Sequence, residues 1–242
     1  MPNGDQHLDF HLLANFVHQV INPLNGVIGT LDNIIDGTVP AIKRDQRLRA
    51  VRAQLEWSVL LVRNLAYFTK ISLNPGASIE PDRSRTCVIP QLVIEAAQFF
   101  QEPGLSRGVT IHLEDRTTQY AVPGAPDLLR QVFMNLFDNA VKYADEESDV
   151  RIRPWIQKKT GHLLLEIENK GAGFSRVESE RLFEVGFRGV EAEKRVASGT
   201  GLGLYICRRI MEDVHDATIE AEHSKATRTT TFRLRFPDWR IL

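Results

Sequence analysis

The chain has 242 residues, 43% hydrophobic, 25% charged and 8% aromatic, a profile that buries a core and excludes a disordered or collagen-like polymer. Thirty Lys and Arg against 31 Asp and Glu leave a formal net charge of −1, so no global field favours nucleic acid or an anionic membrane. The two cysteines, Cys87 and Cys207, lie far apart with no metal-ligand spacing, which argues against a disulfide framework or zinc site and for a reducing compartment.

From Phe10 to Leu31 there is no Asp, Glu, Lys or Arg, a length that would cross a bilayer. His11, Asn15, His18, Gln19, Asn22 and Asn25 would then sit in hydrocarbon, and no basic segment precedes an apolar one. The stretch therefore reads as neither a membrane span nor a signal peptide, and the chain as cytoplasmic. Leu13, Val17, Val20, Leu24, Val27, Leu31 and Ile34 form a heptad row on a helix expected from about His7 to Asp36. The segment Gly37-Thr38-Val39-Pro40 breaks it, and a second helix is expected from about Ala41 to Ile71, with Leu48, Val51, Leu55, Val59, Val62 and Leu65 on one stripe. The two make a helical hairpin joined along these rows. A further row, Ile21, Ile28 and Ile35, is left uncovered, and dimerisation into a four-helix bundle would bury it.

Leu73 to Arg85 (LNPGASIEPDRSR) carries two prolines, a glycine and mixed charge and reads as a hinge. The expected organisation is a hairpin domain over 1–72, a linker over 73–85 and a second domain over 86–242. The second domain alternates: a helix near Pro90 to Gln101, a strand near Val109 to Leu113, a helix from about Pro126 to Tyr143, and strands near Val150 to Ile156 and Leu163 to Ile167. A helix from about Leu202 to His215 and strands near Ala217 to Ala221 and Thr230 to Phe236 follow. The class is α+β.

Three local patterns in this domain can carry chemistry. Gly199-Thr200-Gly201-Leu202-Gly203-Leu204 opens an apolar helix, where glycines let backbone N–H groups approach a phosphate; a tight turn is the plain alternative. Asn135, Asn139 and Lys142 share a helix face by i, i+4, i+7 spacing, a set able to hold Mg²⁺ and phosphate oxygens, or simply a solvated face. Glu168-Asn169-Lys170-Gly171-Ala172-Gly173-Phe174 ends a hydrophobic strand with a polar side chain and two glycines, which lets a flat ring lie against the backbone or makes a β-turn.

All three in this order, after the hairpin, resemble the sensor histidine kinase family, part of the larger GHKL (Bergerat-fold) group of ATPases that includes DNA gyrase and the mismatch-repair ATPases. The resemblance spans nearly the whole chain. Asn135 to Tyr143 is similar to the family's N box, Asn169 to Gly173 to its first glycine box, Phe183 to Arg188 to its phenylalanine box and Gly199 to Leu204 to its second glycine box. It implies an α/β sandwich that binds ATP with Mg²⁺, held by Asn135, Asn139, Lys142, Tyr143, Asn169, Gly171, Gly173, Arg188, Gly199, Thr200, Gly201, Leu202, Gly203 and Leu204. Asn139 would ligate the metal and Glu184 to Ser198 would form a lid. Phe16-Val17-His18-Gln19-Val20-Ile21-Asn22-Pro23-Leu24 is similar to the phosphoacceptor box, which implies that His18 is the nucleophile, Asn22 the residue that positions water and a response-regulator receiver the next acceptor. Pro23 removes a helical N–H and loosens the helix beside His18.

The sequence departs from the family at three places. Gln19 stands where a carboxylate usually orients the His and takes its proton; an amide orients but cannot act as a base. Asn169 stands where an Asp usually accepts the adenine amino group, which weakens that bond and relaxes adenine selectivity. Lys225 to Thr231 lacks the glycine usual before the last strand. The leading expectation is an ATP-dependent histidine kinase of a two-component system, a homodimer that phosphorylates His18 and passes the phosphoryl group to a regulator aspartate. The alternative is a degenerate kinase acting as a nucleotide- or regulator-binding scaffold. A gyrase-type ATP hydrolase would need a carboxylate at Asn135 to activate water, which the sequence lacks.

Overall fold

The computed structural model of the chain describes residues 10–73, 85–196 and 199–242. The expected helix start at His7, most of the linker and the end of the expected lid, residues 197–198, lie outside these.

Two long helices, α1 (Phe10–Ile35) and α2 (Ala41–Leu73), form the hairpin. Gly37, at φ 73°, makes the left-handed turn that ends α1, and the Thr38 and Val39 N–H groups donate to the Asn33 carbonyl. Pro40 then stops any continuation. Which rows face inward differs from the sequence expectation. In α1 the buried side chains are Phe16, Gln19 and Val27, while Val17 and Leu31 stand exposed beside Ile21, Ile28 and Ile35. In α2 the exposed stripe is Leu48, Leu55, Val59 and Val62, and the buried residues are Val51, Ser58, Leu60, Leu61, Asn64, Tyr67 and Phe68. The reason is that α2 serves two partners. Leu60, Tyr67 and Phe68 belong to the core of the rest of the molecule, with Phe68 edge-on to Tyr205 at 5.9 Å, so the helix is rotated to bury that row and turns the expected hairpin stripe outward except at Val51 and Leu65.

The remainder is built on a five-stranded sheet of order β2-β4-β5-β7-β6, from β2 (Thr110–Leu113), β4 (Asp149–Ile156), β5 (Leu163–Lys170), β6 (Thr218–Ser224) and β7 (Thr229–Phe236). The β2–β4 pair is parallel and the others antiparallel. Three helices, α3 (Ile89–Gln98), α5 (Pro126–Tyr143) and α8 (Gly203–His215), supply the rest of the core. Alternation puts Val150, Ile152, Leu163, Leu165, Ile167, Phe232, Leu234 and Ile219 in the core. The opposite face is a charge ladder in which Glu166, nearly buried, is 2.8 Å from Arg233 and 3.9 Å from Arg153. A small sheet of β1 (Thr86–Val88), β3 (Tyr120–Pro123) and β8 (Arg240–Ile241) and the short helices α4 (Gln101–Leu105), α6 (Arg176–Arg181) and α7 (Val190–Arg195) have no counterpart in the sequence reading. Each is too short to show a hydrophobic period.

The missing glycine before β7 has a structural answer. Arg228 itself adopts φ 55°, its carbonyl accepts the Gly171 N–H at 2.9 Å, and its guanidinium forks onto both Asp145 carboxylate oxygens at 2.9 and 3.0 Å.

Candidate functional site

A cleft of about 1120 Å³, counting its part open to solvent, lies between the end of the β5–β7 strand pair, the last turns of α5, the start of α8 and the inner face of α2. The helix α5 carries its polar groups there because its other side is wholly apolar: Val132, Phe133, Leu136, Phe137 and Ala140 are buried in the core. Asn135, Asn139, Lys142 and Tyr143 all line the cleft.

Asn135 is bound to the hairpin. The Asn64 Nδ2 donates to Asn135 Oδ1 at 2.7 Å, Asn135 Nδ2 donates back to Asn64 Oδ1 at 3.1 Å, and Gln131 Nε2 adds a third bond to Asn64 Oδ1 at 2.7 Å. All three carboxamides are buried. Lys142 pairs with Asp138 at 2.5 Å and lies 4.7 Å from the centre of the Trp57 ring, so α2 also touches the lysine. Asn139, half-buried, has no side-chain hydrogen bond among the described residues and offers a carboxamide oxygen that suits a hard cation. No group of His, Cys, Asp and Glu fit to hold a metal occurs among the described residues.

The glycines divide by role. Gly173, Gly199, Gly201 and Gly203 line the cleft, with Thr200 and Leu204. Gly201 is at φ 65°, and a Cβ on it would fall 2.4 Å from the Gly186 carbonyl carbon, so the turn before α8 can pass the Phe183–Arg188 segment only as glycine. A Cβ on Gly203 would come within 3.3 Å of Asn135 Oδ1, which brings the start of α8 against α5 and leaves backbone N–H groups at a positive helix end beside the cleft. Gly171 and Leu202 are off the wall: a Cβ on Gly171 would overlap the Tyr143 carbonyl oxygen at 2.0 Å, and Leu202 is fully buried in the core. Gly171 contributes close backbone packing and Leu202 a core side chain.

The segment over the cleft is held down at both ends. Glu178 accepts the Ser175 N–H at 2.7 Å and the Val190 N–H at 2.8 Å, and these backbone donors lower its pKa. Arg195, in the last turn of α7, donates to the Ala144 carbonyl and lies 3.4 Å from Asp145. Arg188 lines the cleft, donates to the Val196 carbonyl and lies over Gly199.

Of the segment 16–24, expected to be the phosphoacceptor box, only Gln19 reaches this cleft, where it is buried in the wall; His18 and Asn22 are exposed on α1 and do not line it. Trp57, Asn64, Asp138 and Thr230 line the cleft and escaped the sequence reading. One signal was available. Asn64 sits in the row Leu60, Asn64, Tyr67, Phe68, and a carboxamide within an apolar helical row demands a buried partner.

Residues 124–240 match the family model described as histidine kinase-, DNA gyrase B- and HSP90-like ATPase. The chain carries this ATPase domain. It is 27% identical over 234 residues to the sensor protein KdpD of Clostridium acetobutylicum, which covers 96% of this chain and 25% of that protein. Full-length ShkA, solved in complex with AMPPNP, superposes over 95% of this chain and 46% of its own with a TM-score of 0.58 at 19% identity. Histidine kinase ThkA, solved in complex with response regulator protein TrrA, superposes over 95% of this chain and 61% of its own with a TM-score of 0.55 at 17% identity. The chain spans between 20% and 45% of the length of the first curated relatives it matches. No helix among the described residues is long and apolar enough to cross a membrane.

Proposed function

We propose that the chain is the kinase core of a two-component sensor, working on the cytoplasmic side, which binds ATP with Mg²⁺ in the cleft, phosphorylates His18 and passes the phosphoryl group to an aspartate of a response-regulator receiver. The observation that carries the reading is the assembly of Asn139, Lys142, Asn169 and the glycine turn before α8 around one cleft, although they come from three separate stretches of chain. The donor set suits the ligand: an uncharged polar pair on the strands for a base, backbone N–H groups and cations for phosphates, and a carboxamide oxygen for the metal. Asn139 would hold Mg²⁺, which neutralises developing charge on the phosphates when bound.

The roles of the chain's own residues follow. Lys142 and Arg188 place positive charge on phosphate oxygens, and the helix end at Gly203 adds fixed backbone dipoles. The exposed His18 presents an imidazole nitrogen lone pair to the γ-phosphorus; the P–O bond to the β-phosphate breaks as the N–P bond forms, and solvent takes the imidazole proton. Gln19 can accept a hydrogen bond and cannot take that proton, so the transfer lacks the 10²- to 10⁴-fold help of a general base. Asn22 would orient water on the return reaction. The exposed stripe from Val17 to Ile35 and from Leu48 to Val62 supports a homodimer through the hairpin, with residues 1–72 as the dimerising unit, 73–85 as the joint and 86–242 as the nucleotide domain.

Incubation of the chain and its His18→Ala variant with γ-labelled Mg-ATP tests this. Acid-labile label in the first and none in the second is expected. The second reading, a signalling scaffold, is favoured by Gln19, Asn169 and the engagement of Asn135 and Lys142 by α2. It requires binding of nucleotide or of a regulator without label in either protein.

A further inference from the structure

Asn169 ends the apolar run of β5 on the helix side of the sheet, 3% exposed, and its Nδ2 has no hydrogen-bond partner among the described residues. A buried amide donor left unpaired loses its water without gaining a protein partner, which favours a ligand that can accept from it. This one is in the wall of the cleft, where a ligand acceptor can satisfy it. Directly across the strand pair, its register partner Thr230, 5% exposed, lines the same wall with its hydroxyl 3.0 Å from His223 Nδ1. The His223 ring fills the space that a Cβ on Gly173 would take, 2.1 Å away, so this part of the wall is fixed. The charged residues of the cleft, Asp138, Lys142 and Arg188, all come from other elements. The strand pair therefore presents an uncharged edge of one carboxamide and one hydroxyl.

A carboxylate here could only accept, which suits the 6-amino group of adenine and repels a 6-oxo group. A carboxamide does both. Its Oδ1 takes the adenine N6–H while Nδ2 donates to N1. Turned about χ2, Nδ2 donates to O6 of hypoxanthine or guanine while Oδ1 takes N1–H. Each orientation makes two bonds between neutral groups, so neither base is preferred by charge.

We propose that Asn169 makes this cleft a general purine nucleotide site, one that binds 6-oxopurine triphosphates about as well as ATP. The inference rests on the nucleotide reading of the cleft and names its base class. The clean probe is inosine triphosphate, which differs from ATP at the 6-position and in the proton on N1, and lacks the 2-amino group of guanine. Calorimetric titration of the full chain with Mg-ATP and with Mg-ITP is expected to give dissociation constants within about threefold of each other. Asn169→Asp, which removes the donor, is expected to shift the ratio at least about tenfold toward ATP, chiefly through loss of ITP binding. ATP binding with ITP weaker by about a hundredfold would overturn the base assignment and leave the nucleotide reading intact. An unchanged ratio in an Asn169→Asp protein that melts cooperatively would overturn the role of Asn169. Heat from neither nucleotide would sink both readings, and the unsubstituted chain decides the first comparison even if the variant fails to fold.

Discussion

The turn into β7 requires a left-handed residue, and the chain supplies arginine. For a residue with a Cβ that conformation costs about 1–2 kcal/mol, while an exposed ion pair such as Arg228 with Asp145 returns under about 1 kcal/mol. Arg228→Ala keeps the backbone cost and loses the pair; Arg228→Gly loses both. The glycine variant should therefore be the more stable of the two by about 1 kcal/mol, about 2–4 °C in melting temperature for a chain of this size. Equal melting temperatures would mean that the turn relaxes away from φ 55°. A second residue sets an acid limit. Burial of His215 lowers its pKa; its Nδ1–H donates to the Pro123 carbonyl at 3.2 Å, and Nε2 has no partner among the described residues. The unfolded chain binds this proton near pH 6.5 and the folded chain only at lower pH. The contribution is complete above 6.5 and is lost as pH falls through the depressed native value, with a slope of at most about 1.4 kcal/mol per pH unit. His215→Phe should remove that part of the slope in denaturant melts run from pH 7 to pH 5.

At the scale of elements, α2 decides how the hairpin meets the rest. Asn64→Ala leaves the buried carboxamides of Asn135 and Gln131 without their shared partner, a loss of about 1–3 kcal/mol. The expected result is faster hydrogen exchange along residues 57–71 and a lower denaturation midpoint. Val62→Ala, on the exposed side of the same helix, should leave exchange in that segment unchanged in the isolated chain. The heptad spacing of α1 and the break at Gly37 to Pro40 made both helices legible, with α2 starting at the expected residue. Their orientation was not legible. Two apolar rows run along α2, and only the three-dimensional demand of Leu60, Tyr67 and Phe68 for a place in the core settles which one turns inward. The cleft was legible for a similar reason and with a similar gap. Asn135, Asn139 and Lys142 carry their spacing in the sequence, whereas Trp57, Asn64 and Thr230 become neighbours only through packing and strand register.

At the scale of the molecule, the outward stripe is the largest unbalanced feature. Val17, Ile21, Ile28 and Ile35 of α1 and Leu48, Leu55, Val59 and Val62 of α2 are 41–79% exposed. A row of this kind is rare on a monomer and would be covered by a second copy in the isologous bundle proposed above. Because α2 meets the core on one face and would meet the partner copy on the other, a shift that frees Asn135 and Lys142 also moves Leu55 and Val59. In the proposed dimer, association and access to the cleft would then share one rigid element. Ile28→Glu together with Val59→Glu places two like charges per chain in that interface, and the double variant is expected to fall from twice to once the chain mass in light scattering. The core contacts of α2 lie on its other face, so ATP titration of the monomeric variant should still give a dissociation constant within about threefold of the parent. A variant that stays dimeric would place the interface elsewhere, and one that is monomeric but blind to ATP would show that the cleft needs the second copy to hold its shape.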